Sequence, residues 1–283
     1  MNFKGIYYVL LSTFCFSLVN FQVKELPGIP AHEIVFFRSL VTFIITAAFI
    51  TYRKIPFFGN EKKWLFVRGF AGAGSLILFF TTLKEMPLAS ATTIQYLSPI
   101  FTVLLATQMN NDRIKTIQWF LFVLSFTGIV LIKGYDARVS YIMLALGIAS
   151  SFLSGVAYNA IVKCRDTENP LSLVLYFPLV ALPITGIWCL FEWKTPQGYD
   201  WLILLNMGIL TQIAQVSLTR ALHLEKSSIV IPFVYLGIVY ALILGYVFQG
   251  ETFGWQSLLG IFIVVAGVIL NTIIGSKGVS KAA

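Results

Sequence analysis

The sequence predicts an all-α integral membrane protein of ten transmembrane helices, arranged as two inverted five-helix repeats. Three observations predict it. First, 58% of the 283 residues are apolar and 11% are charged, whereas soluble domains carry about 25% charged residues. A water-soluble chain of this size has nowhere to hide so much apolar surface, so the solvent is lipid. Second, ten stretches are long and apolar enough to cross a bilayer, which takes about 20 residues each. Third, the second half reads as a copy of the first, shifted by 139 positions without a gap. Asn20 falls on Asn159, Val23 on Val162, Lys24 on Lys163, Val41 on Val180 and Gly69 on Gly208. Tyr96 and Leu97 fall on Tyr235 and Leu236, Asp112 on Glu251, Gly128 on Gly267 and Leu131 on Leu270. Each copy holds five spans, and an odd number turns the second copy upside down. Inverted repeats are a signature of secondary transporters. The expected division is 1–138 for the first repeat, 139–275 for the second and 276–283 for a disordered cytoplasmic tail.

The spans fall at about 3–22, 32–52, 64–84, 88–109, 116–133, 140–163, 170–191, 200–222, 227–249 and 255–275. The links between them are short, the longest running from Tyr52 to Lys63, which leaves no room for an extramembrane domain. The links also set the orientation, because Lys and Arg favour the cytoplasmic side. With the N-terminus inside, thirteen of the twenty Lys and Arg residues fall on the cytoplasmic side, five on the other, and two, Arg38 and Arg220, inside spans. Both termini are therefore expected in the cytoplasm of a multi-pass protein. Compact loops and the absence of an N-x-[ST] sequon fit a bacterial inner membrane. The third span (Gly69 to Ser75) and the sixth (Gly147, Ser150, Ser151, Ser154, Gly155) are rich in small residues, which let backbones approach where no water drives helices together. The fifth and tenth spans are more uniformly large and aliphatic, and belong at the periphery. Pro99 and Pro232 lie inside the fourth and ninth spans, Pro178 and Pro183 inside the seventh; each removes a backbone hydrogen bond and favours a kink.

The formal charge of +8 does not point to nucleic acid, since the basic residues sit in links and not along one polar face. Cys15, Cys164 and Cys189 lack CxxC spacing and lie in apolar runs, as buried small hydrophobes do. There is no cleavable signal-peptide pattern, because Lys4 leads into a full-length span. Enzyme and metal signals are poor. His32-Glu33 begins like HExxH, but Phe36 stands where the second histidine is needed. No nucleophile elbow, phosphate loop or cofactor motif is present, so no catalytic residue, metal or cofactor is expected.

Polar groups inside a bilayer are costly, and face a cavity or a partner. In the eighth span, Gly208, Gln212, Gln215, Thr219 and His223 fall on one helical face. In the fourth, Gln95, Ser98 and Thr102 do the same, beside Tyr96. Either stripe lines a cavity or glues helices together. Tyr96 and Tyr235, equivalent under the repeat, are placed to meet across a pseudo-two-fold axis, as a site lining or a gate, or as two of many aromatics. Asn20 and Asn159, also equivalent, fit helix capping or helix–helix bonding better than substrate contact. Arg38 and Arg220 keep their charge in lipid and need a carboxylate, carbonyls or water. They would hold an anionic substrate group, or snorkel to an interface. No Asp or Glu lies deep in a span, which argues for a uniporter or exchanger, or for coupling through Glu33, His32 or His223.

Several local patterns carry a family likeness. They are Glu33-Ile34-Val35-Phe36-Phe37-Arg38 in the second span, Arg68-Gly69 opening the third, and Met86-Pro87-Leu88-Ala89-Ser90-Ala91 followed by Ser98-Pro99-Ile100-Phe101-Thr102. Gly250-Glu251-Thr252-Phe253 with Gly260 and Gly267 closes the second copy, while the first departs from it with Asn111-Asp112. Over nearly its whole length the chain resembles the EamA-type members of the drug/metabolite transporter superfamily. The resemblance implies ten helices in two inverted repeats, a central cavity, and movement of a small molecule by alternating access; it does not give the substrate. The expected function is secondary transport of a small polar metabolite: an amino acid, an organic anion or a nucleotide-like compound. The expected site is Arg38, Gln95, Tyr96, Ser98, Gln212, Gln215, Thr219, Arg220 and Tyr235, with gating at Pro99 and Pro232. The rivals are a flippase for lipid or lipid-linked substrates on the same scaffold and a non-transporting membrane scaffold. The expected partners are a small-molecule substrate and the lipid bilayer, with no nucleic acid, in a monomer or homodimer.

Overall fold

In hydrocarbon a backbone must satisfy its own N–H and C=O groups, and a helix does this within one segment. The computed structural model follows that rule. It describes residues 3–57, 59–109, 116–164, 167–224 and 233–279, which form eleven helical segments and no strand. In order these are α1 (Phe3–Lys24), α2 (Ala31–Tyr52), α3 (Lys62–Glu85), α4 (Leu88–Gln95), α5 (Ser98–Met109) and α6 (Thr116–Tyr135). Then follow α7 (Tyr141–Cys164), α8 (Pro170–Phe191), α9 (Asp200–Leu224), α10 (Leu236–Gln249) and α11 (Trp255–Val279). Eight helices among the described residues are long and apolar enough to cross a membrane, with α4 and α5 counted as one. Two shorter apolar helices, Leu236–Gln249 and Trp255–Asn271, join them. Pro232, at the expected kink of the ninth span, lies outside the described residues, as does Asp112. α11 continues to Val279, past the expected end at 275 and into the segment expected to be a loose tail.

The fourth span is broken in two. Pro99 has no N–H to offer the Gln95 carbonyl, so the helix stops at Gln95 and restarts at Ser98. Leu97 N–H donates to Ile94 O at 3.1 Å, a tighter turn, and Ile100 N–H donates to Leu97 O at 2.8 Å. Pro99 thus sits in the first turn of α5, where a missing N–H costs nothing. Pro178 and Pro183, in contrast, stand inside a continuous α8.

The most extensive helix pairs are α3 on α7, α1 on α9 and α6 on α11. The 139-residue shift carries the first of these onto the second. It also exchanges individual contacts. A Cβ added at Gly69 would lie 2.5 Å from Val180 Cγ2 and 2.8 Å from the Tyr176 carbonyl, and one at Gly208 would lie 2.6 Å from Val41 Cγ1. Gly69 maps to Gly208 and Val41 to Val180, so one close crossing is repeated in the α3–α8 and α2–α9 pairs. α6 packs chiefly on α11 and turns Trp119, Phe120, Val123 and Val130 outward. Gln118 Nε2 donates to Asn271 Oδ1 at 2.8 Å within that pair, an interhelical bond of about 0.6–2 kcal/mol in lipid. Cys15, Cys164 and Cys189 are all buried and unbridged.

One end of the bundle is closed by polar ties between links; it is called here the Lys24 end. Lys24 Nζ pairs with Glu251 Oε1 at 2.6 Å and donates to Met86 O at 2.9 Å. The same carboxylate accepts from Leu88 N at 2.8 and 2.9 Å, capping the N-terminus of α4. Lys84 donates to the carbonyls of Leu26, Pro27 and Ile29. Arg138 grips Asp136 through Nε and Nη2, at 2.9 and 3.0 Å, and donates to Thr252 O at 2.6 Å. That bond to Asp136 pushes the Arg138 pKa up. Glu33 Oε2 accepts from Lys194 N at 3.0 Å, and His32 stacks on Trp188 with centroids 4.7 Å apart.

Candidate functional site

Arg38 lies two turns into α2 and is 4% exposed. Its Nε donates to Thr211 Oγ1 of α9 at 2.8 Å. Its guanidinium carbon is 5.6 Å from the ring centres of both Phe80 and Phe177, within cation–π reach. Arg68 approaches from α3, with its guanidinium carbon also 5.6 Å from the Phe177 centre. Gly72, one turn on, makes that possible: a Cβ there would collide with Arg68 Nη1 and lie 2.9 Å from Phe177 Cδ2.

These groups close round a cavity between α2, α3, α8 and α9, lined by Arg38, Thr42, Arg68, Phe177, Thr211, Gln212 and Gln215 together with Val174 and Pro178. Its volume is about 10 Å³, room for about one water. A small-molecule site runs to about 300 Å³ or more, so the cavity as it stands is too small to hold a metabolite. Gln212 Oε1 accepts from Thr46 Oγ1 at 3.2 Å, while its Nε2 has no partner. A second, more open concavity of about 210 Å³ lies on the same α2, α3 and α8 at the Lys24 end, lined by His32, Thr81, Lys84, Glu85 and Trp188 among others.

Of the residues expected at the site, Arg38, Gln212 and Gln215 share this cavity. Gln95 lies elsewhere. Its Oε1 accepts from Ser150 Oγ at 2.7 Å and its Nε2 donates to Ser154 Oγ at 2.9 Å, so both ends of the amide tie α4 to α7. Ser75 joins the same cluster, 2.7 Å from Ser154 Oγ. Ser98 is buried, and its carbonyl accepts from Thr102 Oγ1 at 2.8 Å. Tyr96 and Tyr235 do meet, edge to face, with centroids 5.3 Å apart, in the core and not on the cavity wall. Arg220 is exposed, beside Tyr8, whose hydroxyl accepts from its Nη1 at 3.4 Å. The side chains of Thr219 and His223 lie outside the described residues, as does Pro232. Asn159 donates to Thr102 O at 2.9 Å, a bond between α7 and α5.

Arg68, Thr42, Thr211 and Phe177 belong to the cavity and were not expected there. Arg68 reads as one of the basic residues flanking the link from Tyr52 to Lys63, but it stands six residues into α3. The signal that marks it is Gly72, one turn later, which leaves space for a long side chain to fold inward.

The model of the EamA-like transporter family matches residues 3–134 and again 141–273. The chain belongs to that family. It is a multi-pass membrane protein and a transporter of small molecules, in a family whose named relatives are transporters and not enzymes. This EamA-like transporter is 29% identical over 276 residues to the pseudopaline exporter of Pseudomonas aeruginosa, covering 95% of this chain and 96% of the relative. It is 27% identical to solute carrier family 35 member G1 of Mus musculus, over 95% of this chain and 78% of that protein. It is also 24% identical to the S-adenosylmethionine uptake transporter of Rickettsia prowazekii, over 98% and 95%. A solved crystal structure matches 98% of the chain and 99% of its own length with a TM-score of 0.67 at 15% identity, a likeness of fold.

Proposed function

We propose that this EamA-like protein is a secondary transporter of the cytoplasmic membrane that moves a small polar metabolite by alternating access, with both termini in the cytoplasm. The observation that carries this reading is the cavity itself: the buried Arg38 guanidinium, the half-buried Arg68 with its Nε out of solvent, and two glutamines converge between apolar helices. Packing alone does not require two charges at one point in lipid. In this reading Arg38, Arg68, Thr42, Thr211, Gln212 and Gln215 bind the substrate.

The access cycle rests on two halves packed as inverted repeats, and the exchange of the Gly69–Val180 and Gly208–Val41 crossings supports that arrangement. The structure closed at the Lys24 end, with its cavity contracted, represents one extreme of the cycle. The break between α4 and α5 at Tyr96 and Leu97 lets α4 tilt without carrying α5, so Pro99 serves the gate; Tyr96 and Tyr235 form the pivot. Names among the relatives, one an exporter and one an uptake transporter, support a scaffold that works in either direction.

The test is a thermal-unfolding screen of the purified protein against amino acids, carboxylates, nucleotides and adenosyl compounds. A ligand at a hundred times its dissociation constant stabilises the folded state by about 2.7 kcal/mol. The expected result is a hit that Gln212→Leu abolishes and that the purified protein carries into liposomes. A hit indifferent to Gln212→Leu would place the site elsewhere, and no flux of any solute would favour a scaffold.

A further inference from the structure

Three buried polar atoms of the cavity residues have no partner: Arg38 Nη1, Arg68 Nε and Gln212 Nε2. All three are donors. Two nearby acceptors are already engaged, Thr211 Oγ1 by Arg38 Nε and Gln212 Oε1 by the Thr46 hydroxyl. A guanidinium has five N–H donors, no acceptor and a charge it does not surrender. Both guanidinium carbons lie 5.6 Å from the centre of one ring, Phe177, so they are no farther apart than twice that distance. Among the described residues the ion pairs are Lys24–Glu251 and Arg138–Asp136, and neither Arg38 nor Arg68 takes part in one. Uncompensated charge in a bilayer is among the most expensive features a chain can keep, and it is kept where something compensates it in use.

A single negative charge entering this cavity would leave one arginine uncompensated, and a neutral or cationic molecule would leave both. We propose that the substrate is an organic anion with two acidic groups on a short spacer, the simplest being a dicarboxylate. Arg38 takes one group, Arg68 the other, and the Gln212 amide donates between them. The planar fork of each guanidinium matches a carboxylate bidentately. Phe177 stands within cation–π distance of both charges and holds them to one cavity. This inference rests on the cavity being the binding site.

The experiment holds shape constant and varies charge. Thermal unfolding of the purified protein is followed with succinate, succinamate and succinamide, and with the longer glutarate series. Citrate and sugar phosphates extend the acidic side of the panel, and amino acids and adenosyl compounds the rest. Stabilisation is expected to fall from the doubly charged member to the singly charged to the neutral one. Arg38→Gln and Arg68→Gln should each lower the apparent affinity for the best dianion by about tenfold or more, the size of a lost charge-assisted bond. Each should also erase its advantage over the matched monoanion, and Arg68→Lys should restore part of it. Without ligand, Arg68→Gln should unfold no lower than the unaltered protein, because it removes an uncompensated charge. A neutral or cationic ligand that binds in a Gln212-dependent manner would overturn the charge inference and leave the site standing. Dianion binding indifferent to both arginines would overturn both. A panel in which no dianion stabilises the protein would overturn the inference as well.

Discussion

At the scale of single residues, the site depends on who is small as much as on who is charged. Arg68 reaches the cavity because Gly72 leaves room for it: a Cβ there would meet Arg68 Nη1 and the Phe177 ring. Gly72→Ala should push the guanidinium off Phe177 and lower substrate affinity by about tenfold or more, the worth of one charged hydrogen bond. Gly74→Ala is the control on the same helix, since its Cβ would meet only Leu153 Cδ1 at 3.2 Å; it should bind normally. Ligand-induced thermal shifts on the two variants check this, and equal behaviour would remove Gly72 from the account. The polar residues were legible in the sequence, but not what each one faces. Gln95, Ser98 and Thr102 share a helical face as Gln212 and Gln215 do, yet Gln95 spends both ends of its amide on Ser150 and Ser154. Periodicity gives the face of a helix; the neighbour decides whether that face is glue or cavity. Arg68 was hidden for a related reason, because a cation six residues inside a helix start looks like part of the basic flank before it.

Whole elements show the same division between what a chain spells out and what packing decides. Helix positions were readable because lipid requires about 20 apolar residues per crossing, and the long helices end within a few residues of the expected spans. The break in the fourth span follows from Pro99 and is sharper than the kink expected. The closure at the Lys24 end was not readable, because it joins residues distant in sequence, 163 apart for Leu88 and Glu251. Glu251 there does two things at once: it pairs with Lys24 and caps α4. Glu251→Gln keeps the shape and loses the charge. It should lower stability by about 1–3 kcal/mol, as loss of a charged hydrogen bond does, read as a lower unfolding midpoint. Combined with Lys24→Met, the loss should fall short of the sum of the two single losses, because the partners share one interaction. Loosening this tie should also open the Lys24 end. A cysteine at Ser90, fully buried on α4, should react with a membrane-impermeant maleimide in the Glu251→Gln background and stay protected without it. Equal protection in both would mean that the ion pair does not hold that end shut.

Across the whole molecule, the repeat makes a claim that single-site reasoning cannot. If the two halves are one design used twice, contacts related by the 139-residue shift carry similar loads, although their surroundings differ. The Gly69–Val180 and Gly208–Val41 crossings are the sharpest such pair, each so close that a Cβ would overlap the partner valine. A leucine at either glycine cannot be accommodated without forcing α3 from α8 or α9 from α2. Overpacking of this kind costs about 1–3 kcal/mol. Gly69→Leu and Gly208→Leu should therefore lower the unfolding midpoint by similar amounts. Shrinking the opposing valine in the same variant should recover part of each: Val180→Ala with the first, Val41→Ala with the second. Transport should respond in opposite ways. If the halves are inverted as proposed, the α3–α8 and α2–α9 crossings occupy equivalent places facing opposite sides of the membrane, so wedging one should favour opening toward one side and wedging the other toward the opposite side. Cysteine accessibility measured from each face of oriented vesicles reads this directly. Opposite shifts would support two inverted halves rocking about the Tyr96–Tyr235 contact, whereas identical shifts in both variants would mean that the halves do not exchange roles and that the repeat is a relic of sequence alone.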